Sequence, residues 1–174
     1  MVTLFCIALV LLVTLAACRS DAATLRIPNS YSVIVLALFC IGYAFSPNDF
    51  YPLWNHALAL FIVLVVTYLM FAAGMMGGGD SKFGASLALW LGVQGVAPFV
   101  FWMAVGGGVI GILSLLMKKK KPFTNPPEGS WAAAAQAGLS KIPYGIAISF
   151  GFWIALWHSG LITHELDEVR KIIH

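Results

Sequence analysis

Charged residues are scarce in this chain of 174 residues, which contains ten Lys or Arg and seven Asp or Glu. Charged residues make up 10% of the chain and hydrophobic residues 60%, whereas about a quarter of a typical soluble domain is charged. So few charges cannot cover a soluble surface, and the composition therefore indicates an integral membrane protein embedded in a lipid bilayer. At about 20 residues per helical span, the length allows about six or seven spans and no separate soluble domain.

The chain also lacks paired cysteines and clustered histidines. These residues are scattered along the sequence as Cys6, Cys18, Cys40, His56, His158, His164 and His174. No two cysteines have the CxxC spacing of a zinc or redox site, so neither a disulfide framework nor a cysteine-bound metal is indicated. We expect no metal and no organic cofactor. The formal net charge is only +3, and the placement of the charges favours membrane topology over nucleic-acid binding.

The apolar runs predict an all-α, polytopic fold with six transmembrane helices. The spans are expected at about 2–17, 32–45, 56–73, 83–93, 97–117 and 142–158. The fourth and fifth spans come from one apolar run of 35 residues, which as a single helix would reach about 50 Å, well beyond a hydrocarbon core of about 30 Å. We expect the run to break at Gln94-Gly95 and Pro98, because glycine and proline disfavour a continued helix.

The distribution of Lys and Arg predicts the orientation in the cell membrane. With the N-terminus outside, the first, third and fifth connections face the cytoplasm and hold eight of the ten basic residues, as the positive-inside rule requires. The fifth connection, 118–141, begins with a lysine run that we interpret as a topology anchor and ends in a predicted surface helix. The tail, 159–174, is predicted to be external, with a short amphipathic helix.

A lipoprotein signal peptide is the alternative interpretation of the N-terminal run, because Leu15-Ala16-Ala17-Cys18 resembles a cleavage box. A signal peptide carries positive charge before its apolar stretch, but no Lys or Arg precedes Arg19. We therefore expect a retained first helix.

Two aspartates lie on the predicted cytoplasmic side, next to the membrane. Asp21 is expected three residues beyond the first helix, and Asp80 follows three glycines. Each has an ordinary structural explanation: Asp80 as the N-cap of the fourth helix, and Asp21 as a turn residue paired with Arg19 or Arg26. Because carboxylates near hydrocarbon are costly to place, both are nevertheless candidate functional residues.

Two neighbouring carboxyl groups have a definite chemistry. They cannot both ionise easily, so one keeps a proton while the other acts as a base. Such a pair can activate a water molecule and protonate a leaving amide nitrogen, as in aspartic proteolysis. A non-enzymatic alternative is a small transporter or assembly subunit that uses the pair as a proton or cation site.

Three motifs resemble the GxGD membrane aspartyl proteases and, within them, the type IV prepilin peptidases. Gly77-Gly78-Gly79-Asp80-Ser81-Lys82 matches the GxGDxK motif. Asp21 with Arg26-Ile27-Pro28-Asn29 is similar to the first-aspartate region of the prepilin peptidases, and Pro143-Tyr144-Gly145-Ile146-Ala147 to the PxG-type segment of their final helix. In the presenilin and signal-peptide-peptidase group a Tyr precedes the first aspartate, whereas Ser20 does so here, which favours the prepilin branch.

The resemblance implies that Asp21 and Asp80 are catalytic and that the substrate is a prepilin-like membrane protein. Cleavage would remove a short basic leader, after a Gly, at the cytoplasmic face, in pilus biogenesis or secretion. The chain lacks the CxxC region of the larger, methylating enzymes and so resembles the small form of Flp-type pili; an archaeal preflagellin peptidase is the alternative within the family. Supporting roles are expected for Gly77, Gly78, Gly79, Lys82, Arg26, Asn29, Pro143 and Gly145. For Lys82 the alternative is a simple positive-inside anchor, and the oligomeric state is open.

Overall fold

The computed structural model describes residues 2–139, 141–159 and 161, and these residues form helices joined by short connections. Within these described ranges six α-helices, α1 to α6, follow one another. They are α1 Val2–Thr24, α2 Asn29–Phe45, α3 Leu53–Ala72, α4 Gly78–Lys120, α5 Trp131–Gln136 and α6 Tyr144–His158, with a 3₁₀ turn at Pro47–Asp49. The prediction of an all-α polytopic protein is confirmed. The expected amphipathic tail helix falls almost wholly outside the described residues.

In the part of the chain that the structure describes, three helices are long and apolar enough to cross a membrane, namely α1, α3 and α4, and two shorter apolar helices, α2 and α6, accompany them. Helix α4 is central, because it packs against α2, α3 and α6. Helix α1 packs against α2 and α6 and also touches the short helix α5. The helix α5 occupies the predicted surface-helix stretch of the fifth connection.

The predicted break in the long apolar run lies at Gly92, not at Gln94-Gly95 or Pro98. Gly92 has φ 65° and ψ 177°, whereas the residues on either side of it are helical. Only glycine adopts this combination readily. The freed backbone N–H of Val93 donates to the Asn55 Oδ1 at 2.9 Å. A side chain on α3 therefore stabilises the break, and the sequence of α4 alone could not reveal this contact.

The first helix is longer than predicted, and Asp21 consequently lies inside it. Helix α1 continues through Thr24 and ends where the Leu25 N–H donates to the Asp21 carbonyl at 2.8 Å. The segment after Ala17 is polar but contains no helix-breaking residue before Pro28, so the helix outlasts the apolar run that marked the expected span. Asp21 is thereby fixed on the rigid last turn of α1.

The connections 25–28, 73–77 and 121–143 all contribute to the same end of the helix bundle. Two cavities there are lined by residues of the connections 25–28 and 73–77, and one of the two is also lined by Asp21 of α1 and by the segment before α6. At the other end, Phe39, Phe50 and Trp90 pack around His56, whose Nδ1 lies 2.7 Å from the Leu89 carbonyl oxygen. This aromatic cluster joins α2, α3 and the first segment of α4.

Replacing Gly92 by Ala should destabilise the fold, because the new Cβ would lie 2.5 Å from the Asn55 Oδ1 in a backbone conformation unsuited to alanine. The conformation alone costs about 1–3 kcal/mol. Thermal unfolding in detergent measures the loss.

Gly108 is the matched control, since it lies in the same helix and a Cβ there has open space within 4 Å. Gly108→Ala should leave the melting temperature unchanged or raise it. Equal melting temperatures for the Gly92→Ala and Gly108→Ala variants would contradict this account of the break.

Candidate active site

Asp21 is held by a hydrogen bond from the start of α6. Its carboxyl group is 2% exposed, and the Gly145 N–H donates to its Oδ2 at 2.6 Å. Among the described residues, the Asp21 side chain has no other hydrogen bond. Neither Arg19 nor Arg26 forms an ion pair with it. Asp21 is therefore a buried carboxyl group aimed at the beginning of another helix rather than a turn residue in a surface ion pair.

Asp80 is the third residue of α4, not its N-cap. The N-cap is Gly77, whose backbone N–H donates to the Asp80 Oδ2 at 3.0 Å. The side chain thus turns back onto the first turn of its own helix, where the helix dipole favours a negative charge. Asp80 is 8% exposed. The expectation that Asp80 is the N-cap is wrong, because Gly77 occupies that position, but the Asp80 carboxyl group does accept a backbone N–H at the start of the helix.

Asp21 and Asp80 line the same cavity, which we call the aspartate cavity. Its volume is about 200 Å³. Its lining residues are Asp21, Leu25, Gly74, Met75, Met76, Gly77, Asp80, Lys141, Ile142 and Tyr144. In each carboxyl group Oδ2 accepts a backbone hydrogen bond. Among the described residues, Oδ1 of each group has no hydrogen-bond donor and can bind a water molecule or a ligand. The two carboxyl groups from distant parts of the chain can therefore act on one bound molecule.

A second cavity adjoins Asp80 and is called the glycine cavity here. It has a volume of about 380 Å³. Its lining residues are Leu25, Arg26, Ile27, Pro28, Asn29, Gly77, Gly78, Gly79 and Asp80. Arg26 and Asn29, expected to support the site, thus share a cavity with the glycine motif. The wall opposite them is glycine backbone, which lets an extended ligand approach closely.

Glycine is required at two points because helices meet there without room for a side chain. A Cβ on Gly79 would lie 2.5 Å from the Ile27 carbonyl oxygen, and a Cβ on Gly145 would lie 2.7 Å from the Ile27 Cδ1 and 3.0 Å from the Asp21 Oδ2. Ile27 therefore joins the starts of α4 and α6 beside the two aspartates.

The remaining expected site residues differ in their placement. Pro143 is buried and is the N-cap of α6, directly before the residues that reach Asp21. Lys82 is exposed and lines neither the aspartate cavity nor the glycine cavity. The expected residues other than Lys82 thus line or adjoin the two cavities, whereas Lys82 lies at the surface of the same end of the bundle.

Several residues of the site had no predicted role. Ile27, Leu25 and Tyr144 line the cavities or pack between their walls. Ile27 and Tyr144 lie within the two motifs quoted above, so the motifs did indicate their neighbourhood. Leu25 carries no sequence signal, because its position depends on where α1 ends.

Among the described residues no cluster of three His, Cys, Asp or Glu side chains could hold a metal ion. The site chemistry available on the described residues is that of the two carboxyl groups and of whatever water they bind.

The model of the type IV leader peptidase family matches residues 7–112, which include Asp21, the glycine motif and Asp80. No curated protein and no solved structure matches the chain significantly.

Replacing Gly79 by Ala should destabilise the protein, because backbone atoms of Ile27 occupy the space that the methyl group needs. Overpacking of this kind costs about 1–3 kcal/mol. Gly78 is the control, since a Cβ there meets the Phe71 ring at an ordinary 3.5 Å. Thermal unfolding in detergent should therefore show a lower melting temperature for Gly79→Ala but not for Gly78→Ala. The reverse order would disprove the close approach of the α4 start to Ile27.

Proposed function

The chain belongs to the type IV leader peptidase family, and from this we propose that it is a membrane aspartyl endopeptidase acting on prepilin-like proteins. It removes their short basic leader at the cytoplasmic face of the cell membrane. The observation that carries the proposal is that Asp21 and Asp80 line one cavity of about 200 Å³. The family match alone supports a peptidase of the leader-peptidase type, and the residues of the site supply the rest of the argument.

The proposed reaction uses the two carboxyl groups with a single proton between them. One carboxylate accepts a proton from a water molecule as the water oxygen attacks the carbonyl carbon of the peptide bond that joins the leader to the mature protein. The other, protonated, carboxyl group donates to the carbonyl oxygen. The carbon–nitrogen bond then breaks as the first carboxyl group gives the proton that it took from water to the leaving nitrogen, while the second takes back a proton from the oxygen as the carbonyl re-forms. The leader is released as a carboxylic acid and the mature protein as an amine. The two carboxyl groups titrate together, so the role of starting base is not assigned to either aspartate alone.

The surroundings of the pair support peptide hydrolysis more than ion transport. The glycine cavity shares Gly77 and Asp80 with the aspartate cavity, so an extended chain has space beside the carboxyl groups. A proton or cation site needs no such space. Preflagellin-like and prepilin-like substrates would both fit this arrangement, and the genomic neighbourhood of a candidate substrate distinguishes them.

Asp21→Asn and Asp80→Asn should each abolish leader removal, because the carboxyl groups act as one unit. Asp49→Asn is the control: Asp49 accepts the Thr3 hydroxyl at 2.6 Å at the opposite end of α1, and an amide oxygen can replace it. Co-expression with a Flp-type prepilin and a gel shift measure cleavage. Full leader removal by either site variant, at normal membrane levels, would reject the catalytic pair.

The orientation follows from the same proposal. A reporter fused after Asn125 should be cytoplasmic and one at the C-terminus external, because the basic connections are retained inside. Protease protection or an enzymatic reporter pair measures the sides. Finding both reporters on one side would contradict the six-span topology.

A further inference from the structure

Leu25 lies where three cavities meet. It lines the aspartate cavity, the glycine cavity and a third cavity of about 620 Å³ between the end of α1 and α5. We call the third one the α5 cavity; Ser130, Ala133 and Ala137 are among its lining residues. Among the described residues Leu25 alone lines all three. Leu25 therefore borders the aspartate cavity on the sides of both larger cavities.

The backbone at Leu25 is one that leucine adopts at a cost. Its φ of 53° lies in the left-handed region, which glycine and asparagine tolerate better. The conformation is fixed by the bond from its N–H to the Asp21 carbonyl and by the Ser20 hydroxyl, which donates to the Arg26 carbonyl at 3.0 Å. The turn itself would form more easily with glycine or asparagine. Turn formation therefore does not account for the leucine side chain, and an outlier of this kind beside a site suggests a function.

The aspartate cavity is the smallest of the three. It has about 200 Å³ for the bond to be cleaved and its neighbours, whereas the cavities on either side have about 380 and 620 Å³. In the adjoining glycine cavity, Gly79 and Ile27 leave no room for a side chain between them, since a Cβ on Gly79 would lie 2.5 Å from the Ile27 carbonyl oxygen. Leu25 is the lining residue that the aspartate cavity shares with both larger cavities, so the size of its side chain limits the room where they adjoin.

We propose that Leu25 is a specificity-determining residue, which admits only a small substrate side chain immediately before the cleaved bond. The inference rests on the proposed function, and it assigns the preference for glycine at that substrate position to one residue of this chain. Leu25 excludes larger substrate side chains by occupying their space. It takes no part in the proton transfers of Asp21 and Asp80.

The test uses one Flp-type prepilin in four versions, with Gly, Ala, Val or Leu immediately before the cleaved bond. The full-length protein, reconstituted in vesicles, should cleave the Gly version best and the Val and Leu versions least. Leu25→Ala and Leu25→Gly should raise kcat/KM for Val relative to Gly by about tenfold or more, the range expected when a few methylene groups of space are opened.

Leu25→Asn is the matched control. Asparagine has the same branching as leucine and tolerates the left-handed backbone. The substitution therefore removes the backbone strain at position 25 but keeps a side chain of similar size in the aspartate cavity. Its Val-to-Gly ratio should remain that of the unmodified protein. If Leu25→Asn and Leu25→Gly relax the specificity equally, the backbone and not the side chain controls it, and the proposal is overturned.

The remaining outcomes separate this inference from the proposed function. If the unmodified protein cleaves no version, the proposed function fails and the inference with it. If it cleaves the Gly version but Leu25→Ala and Leu25→Gly leave the ratio unchanged, only the inference fails.

A cross-linking measurement tests the position of Leu25 in variants that bind the prepilin but do not cleave it. In a Cys18→Ala, Cys40→Ala, Asp80→Asn background and with a mild oxidant such as copper phenanthroline added, Leu25→Cys should form a disulfide with a prepilin that carries Cys immediately before the cleaved bond. Phe5→Cys, exposed near the other end of α1, should not. Failure of Leu25→Cys to cross-link a prepilin that co-purifies with the protein would overturn the proposal.

Discussion

The arrangement of the site depends on the hydrogen bond from the Gly145 N–H to the Asp21 Oδ2. It joins the last turn of α1 to the first turn of α6 across 124 positions of sequence at 2.6 Å. The Cys18 thiol donates to the Gly145 carbonyl oxygen at 3.7 Å. Side chains of α1 therefore bind both the N–H and the carbonyl of Gly145. The absence of a side chain on Gly145 permits the approach, because a Cβ would meet Asp21 and Ile27. With α1 and α6 joined in this way, Asp21 has one direction, toward the cavity that it shares with Asp80.

Two glycine contacts complete the constraint. Ile27 packs between Gly79 and Gly145, so the short connection after α1 fixes the starts of α4 and α6 together. Asp80 is directed by its bond from the Gly77 N–H, within its own helix. The two carboxyl groups are thus oriented separately, one by a long-range contact and one by a local return bond. A pair built on helix termini in this way is held more rigidly than one built on loops.

The sequence predicted the fold class and the family better than the details of the helices that build the candidate site. The scarcity of charge and the apolar runs were sufficient for the all-α membrane fold, and the glycine motif with the two aspartates was sufficient for the family. The break at Gly92 was misplaced because it depends on Asn55 of another helix. The end of α1 was misplaced because hydropathy marks where lipid contact stops, not where a helix stops. Leu25 gave no signal, since its position at the junction of the cavities follows from that end.

The most direct test of the central claim is the pH dependence of leader cleavage by the reconstituted, unmodified protein. If the two carboxyl groups work with one shared proton, kcat/KM should fall at low pH, when both are protonated, and at high pH, when neither is. The profile should therefore be bell-shaped. A rate that rises with pH to a plateau would instead indicate a single deprotonated base or a thiolate. That result would contradict catalysis by Asp21 and Asp80 as a pair.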